Sequence, residues 1–165
     1  MNEDVKNCYS QFNEEEILNK IFSLIGAGNK TFIELGVLPD YKFSNTRMLE
    51  EHGWTGKRFD KNGGDGIIEK FITAENINEI VDDVDLLSID IDGNDYWVWE
   101  AIKIKPRVVV IEFNPTKIGI TPYDPNFVWK NNNDYGVSKE ELIKLGKEKG
   151  YVKVAETKEN LFFIC

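Results

Sequence analysis

Asp85-Leu86-Leu87-Ser88-Ile89-Asp90-Ile91-Asp92-Gly93, followed after a short helical stretch by Arg107-Val108-Val109-Val110-Ile111-Glu112-Phe113, decides the fold. Each is a brief apolar run with a carboxylate at its far end, so the pair reads as strand, helix, strand. The second is the most continuous apolar strand of the chain, as expected at the centre of a parallel sheet covered on both faces. Upstream, Thr31 to Leu35 reads as a buried first strand closed by Gly36, and Ser44-Asn45-Thr46 caps a helix through Glu51 that Gly53 ends. Trp54 to Asp60 supplies a second strand, Ile67 to Ile72 a third after the Gly63-Gly64-Asp65-Gly66 loop, and Ala74 to Val81 a short helix. Asn94 or Asp95 caps an aromatic-rich helix from Tyr96 to Ile102, which Lys105-Pro106 terminates.

Toward the N-terminus, Asn13-Glu14-Glu15-Glu16 opens a helix with Ile17, Leu18, Ile21, Phe22 and Ile25 at helical spacing, its acids facing the positive end of the dipole. Toward the C-terminus, Ser138-Lys139-Glu140-Glu141 is a capping box for a helix ending at Gly150. Tyr151 to Ala155 and Asn160 to Ile164 then pair as a closing hairpin. Strands alternating with helices predict an open, doubly wound α/β sheet in one domain over residues 1–165. The stretch 114–136, with Pro115, Pro122, Pro125, Asn131-Asn132-Asn133 and several aromatics, is irregular, and loops of this length are often functional.

The chain has 165 residues, 41% hydrophobic and 30% charged, enough apolar material for one core. Lys+Arg 20 against Asp+Glu 29 gives a net charge of -9, which argues against nucleic acid or an anionic membrane as partner. Cys8 and Cys165 offer neither a disulfide framework nor zinc spacing, and His52 stands alone, so a multi-histidine metal site is excluded. No apolar run approaches the roughly 18 residues of a membrane span, and Glu3 and Asp4 sit where a signal peptide needs basic residues. A soluble cytoplasmic protein is expected.

In an open α/β sheet ligands bind beyond the carboxyl ends of the strands. Four such ends carry acids: Glu34 before Gly36, Asp60, the pair Asp90 and Asp92, and Glu112 before Asn114. A carboxylate on the second strand, about 20 residues or somewhat more beyond the first, can accept hydrogen bonds from both ribose hydroxyls. An acid at a strand tip can equally be a turn residue, and Asp92 and Asp95 also read as caps of the turn before Tyr96. Asp90 and Asp92 share strand parity, which predicts both side chains leaning to one face. Two carboxylates so close raise one another's proton affinity or share a cation, and Glu112 can join them around a hard ion such as magnesium. Trp54, Trp97 and Trp99 are expected to be core packing, and Tyr123, Phe127 and Trp129 to form a lid or acceptor pocket.

Phe32-Ile33-Glu34-Leu35-Gly36, Ser44-Asn45-Thr46, Gly53-Trp54-Thr55-Gly56, the block from Asp85 to Trp99 and Val109-Val110-Ile111-Glu112-Phe113-Asn114-Pro115 resemble class I S-adenosylmethionine-dependent methyltransferases of the FkbM-like type. Tyr135-Gly136 through Tyr151 and Asn160 to Phe163 resemble that group's closing helix and hairpin. The resemblance implies a seven-stranded Rossmann-like sheet with the last strand antiparallel. It also implies methyl transfer from S-adenosylmethionine, usually to an oxygen, here a small-molecule or sugar hydroxyl. Glu34, Gly36, Ser44, Asn45, Asp60, Thr73 and Asp90 are then expected around the cofactor, Asp92 as base with Asp90 beside it, and Glu112, Asn114, Tyr123 and Trp129 around the acceptor. The chain departs from the group at Pro39 and Asp40, where an acidic residue and then glycine are usual. Pro39 removes an amide and Asp40 adds a side chain and a charge, so binding through a reshaped loop is expected.

Two rival readings exist. A degenerate relative could keep the sheet and bind another nucleoside without catalysis. Asp90-Ile91-Asp92-Gly93 also resembles the first motif of haloacid-dehalogenase phosphatases, although it follows three strands and no adjacent acidic pair comes after it. Since the sheet and its helices consume most of the chain, either the acceptor is small or a second copy completes its pocket.

Overall fold

The computed structural model describes residues 9–130 and 134–165. Cys8, Glu3, Asp4 and the Asn131-Asn132-Asn133 run lie outside the described residues. In chain order the elements are α1 Glu14–Ile25, β1 Thr31–Leu35, α2 Arg47–Glu51, β2 Thr55–Asp60, β3 Ile68–Glu69, α3 Ile77–Ile80, β4 Leu86–Ile89, α4 Asp95–Ala101, β5 Val108–Glu112, α5 Lys139–Glu148, β6 Val152–Glu156 and β7 Asn160–Ile164. The strands form one seven-stranded sheet in the order β3-β2-β1-β4-β5-β7-β6. Neighbours from β3 to β5 are parallel, whereas β7 runs antiparallel to both β5 and β6.

Alternation along the strands sorts side chains between two helical layers. Ile33, Leu35, Leu87, Ile89, Val109, Ile111, Leu161 and Phe163 pack with Ile77, Trp99, Leu142 and Leu145 from α3, α4 and α5. Phe32, Leu86, Val108, Val110 and Phe162 face the other way, toward Leu18, Ile21 and Phe22 of α1 and Leu49 of α2. The centre of the sheet is therefore dry on both faces, which accounts for the unbroken apolar run of β5.

Several elements are shorter than their patterns predict. The third strand keeps only two residues, paired with Phe59 and Asp60, and α3 is a single turn. Exposed Ile68 and Phe71 show the cause: this edge strand has little to bury against. β4 stops at Ile89, so Asp90 and Asp92 stand on a turn and not on the strand. The first turn of α1 also differs from a solvated acidic cap. Glu14 and Glu15 are buried, Glu14 accepting from Phe12 N (2.7 Å), Thr157 Oγ1 (2.8 Å) and Asn160 Nδ2 (3.1 Å), which ties α1 to the β6–β7 hairpin.

The segment from Asn114 to Gly136 is pinned at many points along the described residues. Asn114 N donates to the Val137 carbonyl (2.9 Å), Thr121 N to that of Gly136 (2.9 Å) and Ser138 N to that of Gly119 (2.8 Å). Trp97 donates from Nε1 to the Thr121 carbonyl at 2.9 Å and stacks near Tyr96 and Tyr123. It is half-buried and holds this segment, a correction to the expected core role, while Trp99 and Trp54 are buried among apolar neighbours. No helix among the described residues is long and apolar enough to cross a membrane.

Candidate functional site

The parallel strands reverse their order of winding between β1 and β4, and a crevice opens beyond their carboxyl ends at such a point. A cavity of about 380 Å³ occupies it, lined by Gly36 at the end of β1, Asp60 at the end of β2, Asp90 and Asp92 after β4, and Glu112 at the end of β5. Leu38, Lys42 and Phe43 of the β1–α2 loop form one wall, and Phe127 and Trp129 form another.

The floor is close-packed. Gly36 has φ +82°, and a Cβ there would lie 1.6 Å from the Asp90 carbonyl oxygen, so only glycine lets the two strand tips meet. Asp92 also has a left-handed backbone, φ 60°, which for a residue with a side chain costs about 1 kcal/mol or more. Gly93 follows, with the Phe127 ring 2.3 Å from where its Cβ would stand. Asp95 holds this turn, its carboxylate accepting from Ile91 N at 2.8 Å and Gly93 N at 2.9 Å. Asn94, the N-cap by position, instead donates from Nδ2 to the Asp124 carbonyl at 2.7 Å. Asp90 and Asp92 thus converge through the turn and not by strand parity.

Asp90, Asp92 and Glu112 bring one carboxylate oxygen each within 4.8 Å of one another, all half-buried. Like charges at this range in a recess favour protons or a cation. Burial, then Asp95, Asp92 and Glu34, push the Asp90 pKa well above the usual carboxylate range, with a Glu112 hydrogen bond opposing. Burial, then Asp90, Asp95, Asp92 and Glu159, push Glu112 in the same direction. Burial also raises Asp92, but nearby Lys61 pulls it back, and Asp95 is lifted by burial to about 6 despite its two amide donors. Burial thus favours the protonated form at Asp90, Glu112 and Asp92 alike, and at Asp92 Lys61 opposes it. Three carboxylates in this arrangement also fit a hard divalent cation.

Of the residues expected at the site, Gly36, Asp60, Asp90, Asp92, Glu112 and Trp129 line the cavity together. Asp60 also accepts from Asn62 N at 2.7 Å through Oδ1. Glu34, Ser44 and Asn45 lie beneath it. Glu34 is 2% exposed and accepts from Ser44 Oγ (2.8 Å), Asn45 N (2.6 Å), Thr46 Oγ1 (2.5 Å) and Arg58 Nε (3.3 Å), which fills its acceptor positions. Asn45 donates to Ser88 Oγ at 3.0 Å. These three build the frame that holds α2 on β1 and leave the ligand space to others.

Thr73 and Asn76 exchange hydrogen bonds at the start of α3, at 3.0 and 3.3 Å. Tyr123 bonds Glu75 and accepts from Ala74 N at 3.2 Å. Asn114 donates to the Tyr135 carbonyl at 2.9 Å and closes its own turn through Thr116. All three fasten the rim and stand outside the cavity lining. Asp40 is exposed, accepts from Lys42 N at 3.1 Å and is not among the residues lining the cavity. Lys42, Lys61, Lys70, Gln11 and Glu159 line the cavity without having been singled out by pattern. The available signal for Lys61 and Lys70 was their position just past the ends of β2 and β3. No protein-family model, curated protein or solved structure matches this chain.

Proposed function

We propose that this protein is an S-adenosylmethionine-dependent methyltransferase with a Rossmann-like sheet, acting on a hydroxyl of a small molecule or sugar. The observation that carries the reading is the cavity at the β1/β4 reversal, with Asp60 at the second strand tip and Asp92 at the fourth. The order β3-β2-β1-β4-β5 is that of a dinucleotide-binding sheet. S-adenosylmethionine supplies the methyl group as an activated sulfonium when bound. Asp60 accepts from the ribose hydroxyls, and its position facing a cavity of about 380 Å³ suits a nucleoside.

The remaining chemistry belongs to the carboxylates. Methyl transfer to a hydroxyl needs the acceptor aligned and its proton removed. Asp92 is the base, its proton affinity raised by burial above that of a free carboxylate. Asp90 and Glu112, sharing a proton, present a hydrogen-bond donor that orients the acceptor oxygen, and with magnesium bound the same three carboxylates would hold the ion. A cytoplasmic location accompanies this reading, and a second copy of the chain can complete the open side of the cavity.

A second reading, a nucleoside-binding protein without catalysis, draws support from the β1–α2 loop. Pro39 lacks an amide and Asn45 N is already committed to Glu34. Calorimetric titration with S-adenosylmethionine and S-adenosylhomocysteine decides between presence and absence of the cofactor site. Binding is expected, and silence from both at millimolar concentration sinks the methyltransferase reading. Asp60→Ala is expected to weaken binding by about tenfold, the worth of a hydrogen-bonded pair to a carboxylate. Asp92→Asn should slow S-adenosylhomocysteine release in an acceptor screen while leaving affinity nearly unchanged; equal loss of both contradicts its role as base.

A further inference from the structure

The charges that line the cavity are divided along the sheet. Lys42, Lys61 and Lys70 come from the β1, β2 and β3 side, and Asp90, Asp92, Glu112 and Glu159 from the β4, β5 and β7 side. Asp60 sits on the lysine side, and Lys61 is also close enough to Asp92 to oppose the rise of its pKa. Lys61 follows Asp60 directly, and Lys70 N donates to the Asp60 carbonyl at 2.8 Å, so the backbones of both lysines adjoin the residue assigned to ribose. Lys42 enters from the β1–α2 loop with its ammonium 4.8 Å from the centre of the Phe43 ring, and Asp40 of the same loop is not among the lining residues.

In a chain of net charge -9 an ammonium has many carboxylates within reach, and Lys57, Lys117 and Lys139 each take one. Among the described residues Lys42, Lys61 and Lys70 take none as an ion-pair partner, although they share a cavity with five acids. An ordinary solvated lysine explains any one of them. Three lining one cavity, two of them from chain segments that adjoin Asp60, concentrate positive potential where a walled site focuses it.

We propose that Lys42, Lys61 and Lys70 form a subsite for an anionic group, phosphate or carboxylate, carried by the nucleoside that Asp60 holds. The subsite rests on the nucleoside part of the function proposed above and adds a selectivity to it. An uncharged nucleoside gains nothing from the three ammonium groups, whereas an anion-bearing one gains from all of them, each contact being modest and salt-sensitive.

The test is calorimetric titration of adenosine, S-adenosylhomocysteine and adenosine monophosphate into the protein and into the Lys42→Gln, Lys61→Gln, Lys70→Gln triple variant. All three side chains are exposed, so the variant should fold, and circular dichroism checks that it has. An anion-bearing nucleoside is expected to bind about tenfold or more tightly than adenosine, with the preference erased in the triple variant and adenosine affinity intact. Whether S-adenosylhomocysteine or the monophosphate shows the preference names its source as carboxylate or phosphate. Preference for the monophosphate with S-adenosylhomocysteine silent keeps the subsite and ends the methyltransferase reading. Equal affinities for all three, or a preference that survives in the triple variant, overturn the subsite while S-adenosylhomocysteine binding upholds the methyltransferase. No binding by any nucleoside overturns both.

Discussion

At Asp90 two demands meet: its carbonyl backs onto Gly36, and its carboxyl shares a recess with Glu112, Asp92 and Asp95. A carboxyl whose folded-state pKa lies above its unfolded value binds its proton more tightly when folded. Its stabilising contribution is complete below the unfolded pKa, near 4, and is lost as pH rises through the folded value, about 6 for Asp95. Asp90, Glu112 and Asp92 shift in the same direction. Thermal unfolding should therefore show a higher midpoint near pH 5 than near pH 8. Asp90→Asn, which removes one charge and keeps the shape, is expected to raise the midpoint at pH 8 by several degrees, corresponding to about 1 to 3 kcal/mol, and to flatten the pH slope. A lower midpoint at pH 8 in that variant would show that the carboxylate is compensated. Asp85 works in the opposite sense: burial alone would raise it, but hydrogen bonds from Arg107 and Thr31 outweigh that and hold it low, so its contribution fades as pH falls. The acids at strand tips were legible from the sequence because apolar runs ended on them. Which of them faced a cavity was not, since that depends on register: Glu34 lies opposite Arg58, two residues deeper in the sheet than Asp60.

Among the elements, α5 and α2 start in contrasting ways. At α5 the capping box works locally: Ser138 Oγ accepts from Glu141 N, and the helix begins where the sequence pattern places it. Ser138→Ala is expected to cost about 1 kcal/mol in urea unfolding. At α2 the Ser44-Asn45-Thr46 signal is also present, but the position of Thr46 as N-cap carries no side-chain bond to the helix. Ser44 Oγ accepts from Thr46 N (3.3 Å) and Arg47 N (3.2 Å) while donating to Glu34, so the cap is half local and half tertiary. Glu34→Ala removes one of the two carboxylates on buried Arg58 and the acceptor of three other donors, and should cost about 3 to 5 kcal/mol, well beyond the α5 cap. If the two variants proved equally mild, Glu34 would not be the anchor of β1 and α2. The third strand and α3 show the opposite failure: their residues carry adequate propensity, but an edge position gives that stretch too little surface to bury.

Across the whole molecule, a seven-stranded sheet with helices on both faces leaves one concave region at the strand tips, walled by the segment after β5. A ligand there touches residues from five strand ends and that segment, so its binding should be felt globally. With S-adenosylhomocysteine at 100 times its dissociation constant, mass action adds about 2.7 kcal/mol and should raise the thermal midpoint by roughly 5 to 10 °C. A midpoint unmoved by saturating ligand would place binding elsewhere than in the folded cavity.

The sequence by itself determined the alternation of strands and helices, the central burial of β5, the closing hairpin and the acid-tipped strand ends. Each of these follows from local periodicity and turn chemistry, which act over a few residues. Tertiary structure decided that Glu34, Ser44 and Asn45 are frame and not site, that Asp90 and Asp92 meet through a left-handed turn, that Trp97 and Tyr123 fasten a rim, and that Lys42, Lys61 and Lys70 face the same space as Asp60. Those outcomes depend on which groups fill one another's hydrogen bonds and which remain turned to the cavity. That accounting closes only when distant segments are packed together.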